Sequence, residues 1–269
     1  MEQNNFTKKC KDLRKTILKI ISESKASHIG SMFSCLDIIT YLYYKEMNFS
    51  KENYLFPERD RFILSKGHAS LVIYSILEDL GILSKETLLS YYKDGGELIG
   101  HLDHKIKGVE VSTGALGHGL AMAAGIALGN KLNKVNSKTY CLIGDGECNE
   151  GSIWESLMFI SEKELKNLII IIDANKLQAY DYCETILSNK KLTEMLKAIN
   201  LNYYEIDGHN FSEIKNTFHK IKNNQNKKAN IIFARTIKGK GVSYMENKLE
   251  WHYKSPKENE LKQALEELK

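Results

Sequence analysis

The run Leu168-Ile169-Ile170-Ile171-Ile172 constrains this chain more than any other feature. A half-exposed strand alternates apolar and polar residues. Five consecutive aliphatic residues leave no face for water, so the segment reads as a strand buried on both sides. Shorter runs of similar character lie at residues 139–143, 203–206 and 230–234, alternating with segments of helical period. Strands that alternate with helices build βαβ units, and their sheet is covered on both faces. The expected fold class is therefore α/β: a three-layer α/β/α, doubly wound, mainly parallel sheet. No linker interrupts the chain, which is read as one domain, 1–269, broken only by Pro57 and Pro256.

The first third is expected to be mainly helical. Phe6, Cys10, Leu13, Ile17 and Ile20 recur at helical spacing with lysines between them, predicting an amphipathic opening helix over residues 6–21. Ser34 followed by Asp37 resembles a capping box ahead of a second apolar helix through Tyr44, and Ser84 followed by Thr87 starts another. Near the C-terminus, Ser255-Pro256-Lys257-Glu258 combines an N-cap serine with proline at the first helical position.

With 42% hydrophobic residues the chain can bury a sizeable core. The net charge of +4 comes from dispersed lysines, and only Arg14, Arg59, Arg61 and Arg235 are arginines. Nucleic-acid readers lean on arginine forks and a basic stripe, so nucleic acid is not an expected partner. Cys10, Cys35, Cys141, Cys148 and Cys183 form no C-x-x-C pair and read as reduced, buried thiols. Without an apolar leader or a bilayer-length apolar run, the expected location is the cytoplasm, with no membrane partner.

Chemistry concentrates at Gly144-Asp145-Gly146, which follows the run 139–143 and precedes a helical segment beginning near Ser152. Strand, glycine turn and helix make an anion-binding geometry, because the backbone can approach a phosphate and the helix start offers free N–H groups. Asn175 follows Asp145 by 30 residues, one βαβ unit, again just beyond a strand. Both residues should emerge at the carboxyl edge of the sheet, where open α/β sheets bind ligands. One carboxylate, one amide oxygen and one loop carbonyl suit Mg²⁺, a hard ion that keeps water and phosphate ligands.

Gly144-Asp145-Gly146 followed at this distance by Asp173-Ala174-Asn175 resembles the thiamine-diphosphate motif, and the flanking sequence resembles transketolase. The matching blocks are Ser27-His28-Ile29-Gly30, Leu64-Ser65-Lys66-Gly67-His68-Ala69, Gly100-His101, the run from Ser112 to Gly119, and Ile237-Lys238-Gly239-Lys240-Gly241-Val242 with Trp251-His252. The resemblance implies that Asp145, the side chain of Asn175 and the main-chain oxygen of Leu177 hold Mg²⁺, with Ca²⁺ or Mn²⁺ as substitutes. It implies that His68, Gly146 and His252 touch the diphosphate of thiamine diphosphate, while Gly114, Ala115 and Leu116 lie against its rings. His28, His101 and His252 would face the substrate's oxygens, where groups that exchange protons near neutrality are needed. The implied reaction passes a two-carbon glycolaldehyde unit from a ketose phosphate to an aldose phosphate. The glycine- and alanine-rich run 114–129 is read as a helix whose first turn meets the cofactor and whose remainder packs. His104 and His209, outside the blocks, are read as structural or surface residues, and Trp154, Tyr41, Tyr43 and Tyr44 as core or interface aromatics.

Transketolases also contain a second domain whose glutamate activates the cofactor's aminopyrimidine ring, and no segment after Trp251 is expected to furnish it. The resemblance implies the split form, in which a separate C-terminal subunit supplies that glutamate and the arginines for the sugar phosphate, in an α2β2 heterotetramer. Glu150 matches a glutamate near the subunit interface. Ser27 where glycine is common, His118 where glutamine is common, and Ala179-Tyr180 in place of leucine-aspartate depart from the family pattern and leave the sugars open. A deoxyxylulose-phosphate synthase or a ketoacid decarboxylase component would share Asp145 and Asn175, but Lys66-Gly67-His68 and Trp251-His252 argue against both. A non-catalytic, cofactor-binding regulatory subunit is the remaining alternative.

Overall fold

The computed structural model describes residues 3–269. Five strands form one parallel sheet: β1 Arg61–Leu64, β2 Thr139–Gly144, β3 Leu168–Ala174, β4 Asn202–Asp207 and β5 Asn230–Arg235, in the order β1-β2-β3-β5-β4. The four strands expected from the apolar runs are present. β1 was not legible in advance, because its four residues begin with a charged arginine and offer too short a pattern to separate from a loop.

Ten α-helices accompany the sheet among the described residues: α1 Gln3–Ser24, α2 Ile29–Tyr41, α3 Ser70–Asp79, α4 Lys85–Leu89, α5 Gly119–Leu132, α6 Gly151–Glu162, α7 Cys183–Ile186, α8 Asn189–Ala198, α9 Phe211–Asn223 and α10 Glu258–Glu267. Successive strand residues point to opposite faces, and the two faces meet separate cores. Tyr140, Leu142, Ile169, Ile171 and Ile232 pack with α1, α2, α3, α9 and α10. Cys141, Ile143, Ile170, Ile172, Ile231 and Phe233 pack with α5, α6 and α8. This is why β3 is apolar without alternation: all seven of its residues are buried. Three layers result, as expected.

Two capping expectations are corrected. α2 begins at Ile29, so Ser34 and Asp37 lie inside it and cap nothing. Ser34 instead donates to Asp173 at 2.6 Å, and Asp37 pairs with Arg14 at 2.8 Å and with His209 at 2.7 Å. α10 begins at Glu258 with Lys257 before it, while Ser255 donates to the carbonyl of Ile21 at 2.8 Å. In both cases a tertiary partner captured the hydroxyl that a local cap would have used. Ser84 does cap α4, accepting from the Thr87 N–H at 3.1 Å. The run 114–129 is also not helical from its start, since residues 114–118 form a loop and α5 begins at Gly119. All five cysteines are free and buried. Among the described residues no helix is long and apolar enough to cross a membrane.

Candidate active site

The site is built where β2 and β3 end. Gly144 stands opposite Asp173 in the register, so the turns carrying Asp145 and Asn175 leave the sheet side by side. Asp145 is 4% exposed. Its carboxylate accepts the N–H of Gly146 at 2.9 Å and of Lys176 at 2.7 Å, and it enters no ion pair among the described residues. Burial, reinforced by nearby Asp173, pushes its carboxyl up to about 6. Lys176 adopts a left-handed φ of 69°, which turns the loop back so that its N–H reaches Asp145. Asn175 has its amide nitrogen on Asp173 at 3.2 Å, and its oxygen accepts the Leu177 N–H at 3.1 Å.

Asp173 organises the loops around this point. Fully buried, it accepts from Ser34 at 2.6 Å, Thr236 at 2.5 Å and Lys66 at 2.5 Å, which come from α2, the end of β5 and the end of β1. Burial opposes its ionisation, but Lys66 and the hydroxyls outweigh that, and its carboxyl is held below the usual range. Lys66 is likewise held charged against its own burial, chiefly by Asp173.

Four histidines converge on the same opening. The ring of His28 lies 5.0 Å from that of His68, 5.1 Å from His252 and 6.5 Å from His101. His28 sits at the start of α2 with φ 72°, a conformation rare without glycine, and its N–H donates to the His252 carbonyl at 2.8 Å. Ser27 pairs with Nδ1 of His28 at 2.8 Å, so this departure from the family pattern fixes the ring. Burial, helped by neighbouring cations, lowers His28 to about 4, His252 to about 3 and His68 well below its ordinary value, leaving all three neutral at pH 7. Lys238 stands 2.7 Å from Nδ1 of His252. A lysine ammonium only donates, so Nδ1 accepts and Nε2 of His252 carries the proton. Burial, then repulsion from Lys66, brings Lys238 down to about 8.

These groups line one cleft of about 390 Å³ at the carboxyl edge, with His28, His68, His101, Gly114, Leu116, Asp145, Gly146, Asn175, Leu177 and His252 all on its wall. Ala115 is the exception: it is exposed and absent from the lining, because the loop turns it outward between its two neighbours. Glu150 lies at the edge of the cleft, and His118 is exposed outside it. His104 is exposed against Ser112, and His209 is a half-buried structural residue between Asp37 and the Ile237 N–H, as their place outside the motif blocks suggested. Trp154 donates to the Cys148 carbonyl, and Tyr41 and Tyr43 are core residues. Sequence reasoning missed Lys66, Asp173 and Lys238 as site residues although they lie inside the motif blocks, noted Tyr180 only as a departure from the family pattern, and missed Glu147 and Tyr253 altogether. Burial of a charge is what marks the first three, and spacing does not display it.

Residues 7–268 match the family described as the thiamine diphosphate binding domain of transketolase. The chain belongs to this family. It is 38% identical over 271 residues to one of the subunits of the apulose-4-phosphate transketolase of Actinobacillus succinogenes, covering 100% of this chain and 98% of that one. It is 35% identical over 257 residues to a subunit of the 6-deoxy-6-sulfo-D-fructose transketolase of Clostridium sp. (strain MSTE9), covering 95% and 93%. The crystal structure of transketolase from Campylobacter jejuni superposes with a TM-score of 0.92 at 28% identity, over 100% of this chain and 43% of that one. The chain therefore matches relatives named as transketolase subunits along nearly their whole length and spans less than half of the Campylobacter chain.

Proposed function

We propose that this chain is the metal- and diphosphate-holding subunit of a two-chain transketolase that transfers a two-carbon glycolaldehyde unit from a ketose to an aldose. One observation carries the reading: the carboxyl edge brings His28, His68, His101 and His252 into one cleft with the oxygen donors of Asp145, Asn175 and Leu177. The donors fit Mg²⁺. A buried carboxylate that forms no salt bridge among the described residues, an amide oxygen and a backbone carbonyl are hard ligands, and the raised carboxyl of Asp145 marks a place where positive charge is wanted. Thiamine diphosphate, when bound, supplies the carbon nucleophile and electron sink for breaking and making the carbon–carbon bond.

The chain's own residues supply placement and proton handling. The protonated Nε2 of His252 donates to an anionic oxygen, His68 and the Gly146 backbone face the diphosphate, and Lys66 and Lys238 add the positive field. His28 and His101, on the open side, take and return protons at the sugar's hydroxyls and carbonyl oxygen. Gly114 and Leu116 support the cofactor's rings.

The split assembly is supported by the arginines. Arg14, Arg59 and Arg61 pair with Asp37, Glu110 and Glu110 again, Arg235 pairs at the surface with Glu205, and none of the four lines the cleft to grip an anionic sugar end. That grip, and the glutamate that activates the aminopyrimidine, belong to a C-terminal subunit in an α2β2 heterotetramer. Exposed Tyr180, Ile186 and Tyr253 at the cleft rim suit a surface that this second chain covers. The buried reduced thiols suit the cytoplasm.

The test mixes the chain with its C-terminal partner, Mg²⁺ and thiamine diphosphate and measures two-carbon transfer between sugar phosphates. Turnover is expected only with both chains, and Asp145→Ala should lower cofactor affinity about a hundredfold. Full turnover by this chain alone, or unchanged affinity in the variant, would refute the proposal.

A further inference from the structure

Residues 113–119, a loop and the first residue of α5, bring Gly114 and Leu116 to the cleft, and the segment that follows Asp145 holds them there. Glu147 is 2% exposed. Its carboxylate accepts the N–H of Gly117 at 2.8 Å, the N–H of Gly144 at 3.0 Å and the hydroxyl of Ser65. Ser65 in turn accepts the N–H of Gly119 at 3.1 Å. Ser152, at the start of α6, donates to the carbonyl of Gly117 at 2.9 Å. Both peptide units of Gly117 are thus gripped, one from the turn that presents Asp145 and the other from the start of α6. The fit is close: Gly117 has φ +83°, and a Cβ there would lie 2.4 Å from the Ser152 oxygen and 2.7 Å from Cβ of Glu150.

A buried carboxylate is costly unless its lone pairs are satisfied, and these three donors satisfy it without a salt bridge. One of its oxygens takes both loop-side donors, Gly117 and Ser65, and the other takes Gly144, so truncating the side chain leaves three buried donors unpaired. The bonds reach across 82 residues to Ser65 and 30 to Gly117, joining the end of β1, the end of β2 and the loop.

We propose that Glu147 is a positioning residue that locks the 113–119 loop in register with the Asp145 turn before cofactor arrives. The metal end and the ring end of the site are then one rigid unit. Binding spends no free energy on ordering the loop, and a ligand that spans both ends gains over one that occupies only the first. This rests on the cofactor reading above, but the lock itself exists without ligand.

The test compares the wild-type chain with Glu147→Ala, each assembled with the C-terminal partner. Without cofactor, amide hydrogen exchange at Gly117 and Gly119 should quicken about tenfold. In calorimetric titrations, affinity for Mg²⁺ with thiamine diphosphate should fall about tenfold, whereas Mg²⁺ with inorganic pyrophosphate, which stops short of the loop, should bind within about twofold of wild type. Unchanged exchange at the two glycines would overturn the proposal, as would equal weakening of both ligands, which would make Glu147 only a support of the Asp145 turn. If Glu147→Ala does not fold, Ser152→Ala, which frees only the Gly117 carbonyl, should show the same ordering of effects with smaller size, and its absence is equally decisive. A wild-type complex of both chains that binds neither ligand would defeat the cofactor reading, while the exchange comparison would still decide the lock.

Discussion

The two ends of the sheet both carry an opening, and they differ in kind. At the amino edge, Asn130, Lys131, Lys134, Lys166, Asn167 and Lys227 border a groove of about 440 Å³. At the carboxyl edge the cleft is slightly smaller, about 390 Å³. The lysines of the amino edge lie toward water. Those of the carboxyl edge, Lys66 and Lys238, are 2% and 1% exposed and locked among buried acids and a histidine. Volume therefore does not separate a site from a crevice, whereas charge taken out of water and given fixed partners does.

The comparison breaks most visibly through Lys66. Lys66→Ala leaves Asp173 buried and unpaired, and the chain should lose about 3–5 kcal/mol of stability, read as a lower urea midpoint with an unchanged slope. Replacing both partners, Lys66→Met with Asp173→Leu, should recover much of that stability. A single variant as stable as wild type would show that the buried pair does not differ from surface charge.

The second test is the pH dependence of cofactor affinity. Protons compete with metal for Asp145, whose carboxyl is raised to about 6, so affinity should fall about tenfold per pH unit below 6. It should fall again above about 8, where Lys238 loses its charge. His28 and His252, at about 4 and about 3, stay neutral across the plateau. The same raised carboxyl means that Asp145 favours the unliganded fold below the ordinary carboxylate range, and that this contribution is lost as pH rises through 6. A fluorescence titration placing the acid limb near pH 4 would remove Asp145 from the metal site. The smallest effect is expected at the other edge: Lys134→Ala with Lys166→Ala should change neither cofactor affinity nor the urea midpoint, and a clear loss of affinity there would erase the contrast.

Local pattern alone identified β2, β3, β4 and β5, the opening helix and the turns that carry Asp145 and Asn175, because a strand buried on both faces or a glycine turn after it is written in neighbouring residues. The motif blocks named the histidines, and the cleft collects all four. Tertiary structure decided the rest. It spent Ser34, Asp37 and Ser255 on distant partners where local caps were expected, turned Ala115 outward, and began α5 only at Gly119. It also made Asp173 a hub, joined to Lys66 across 107 residues and to Ser34 across 139. A carboxylate looks the same in sequence whether it meets water or a buried ammonium, and only the packing of the fold removes the water and supplies the partner.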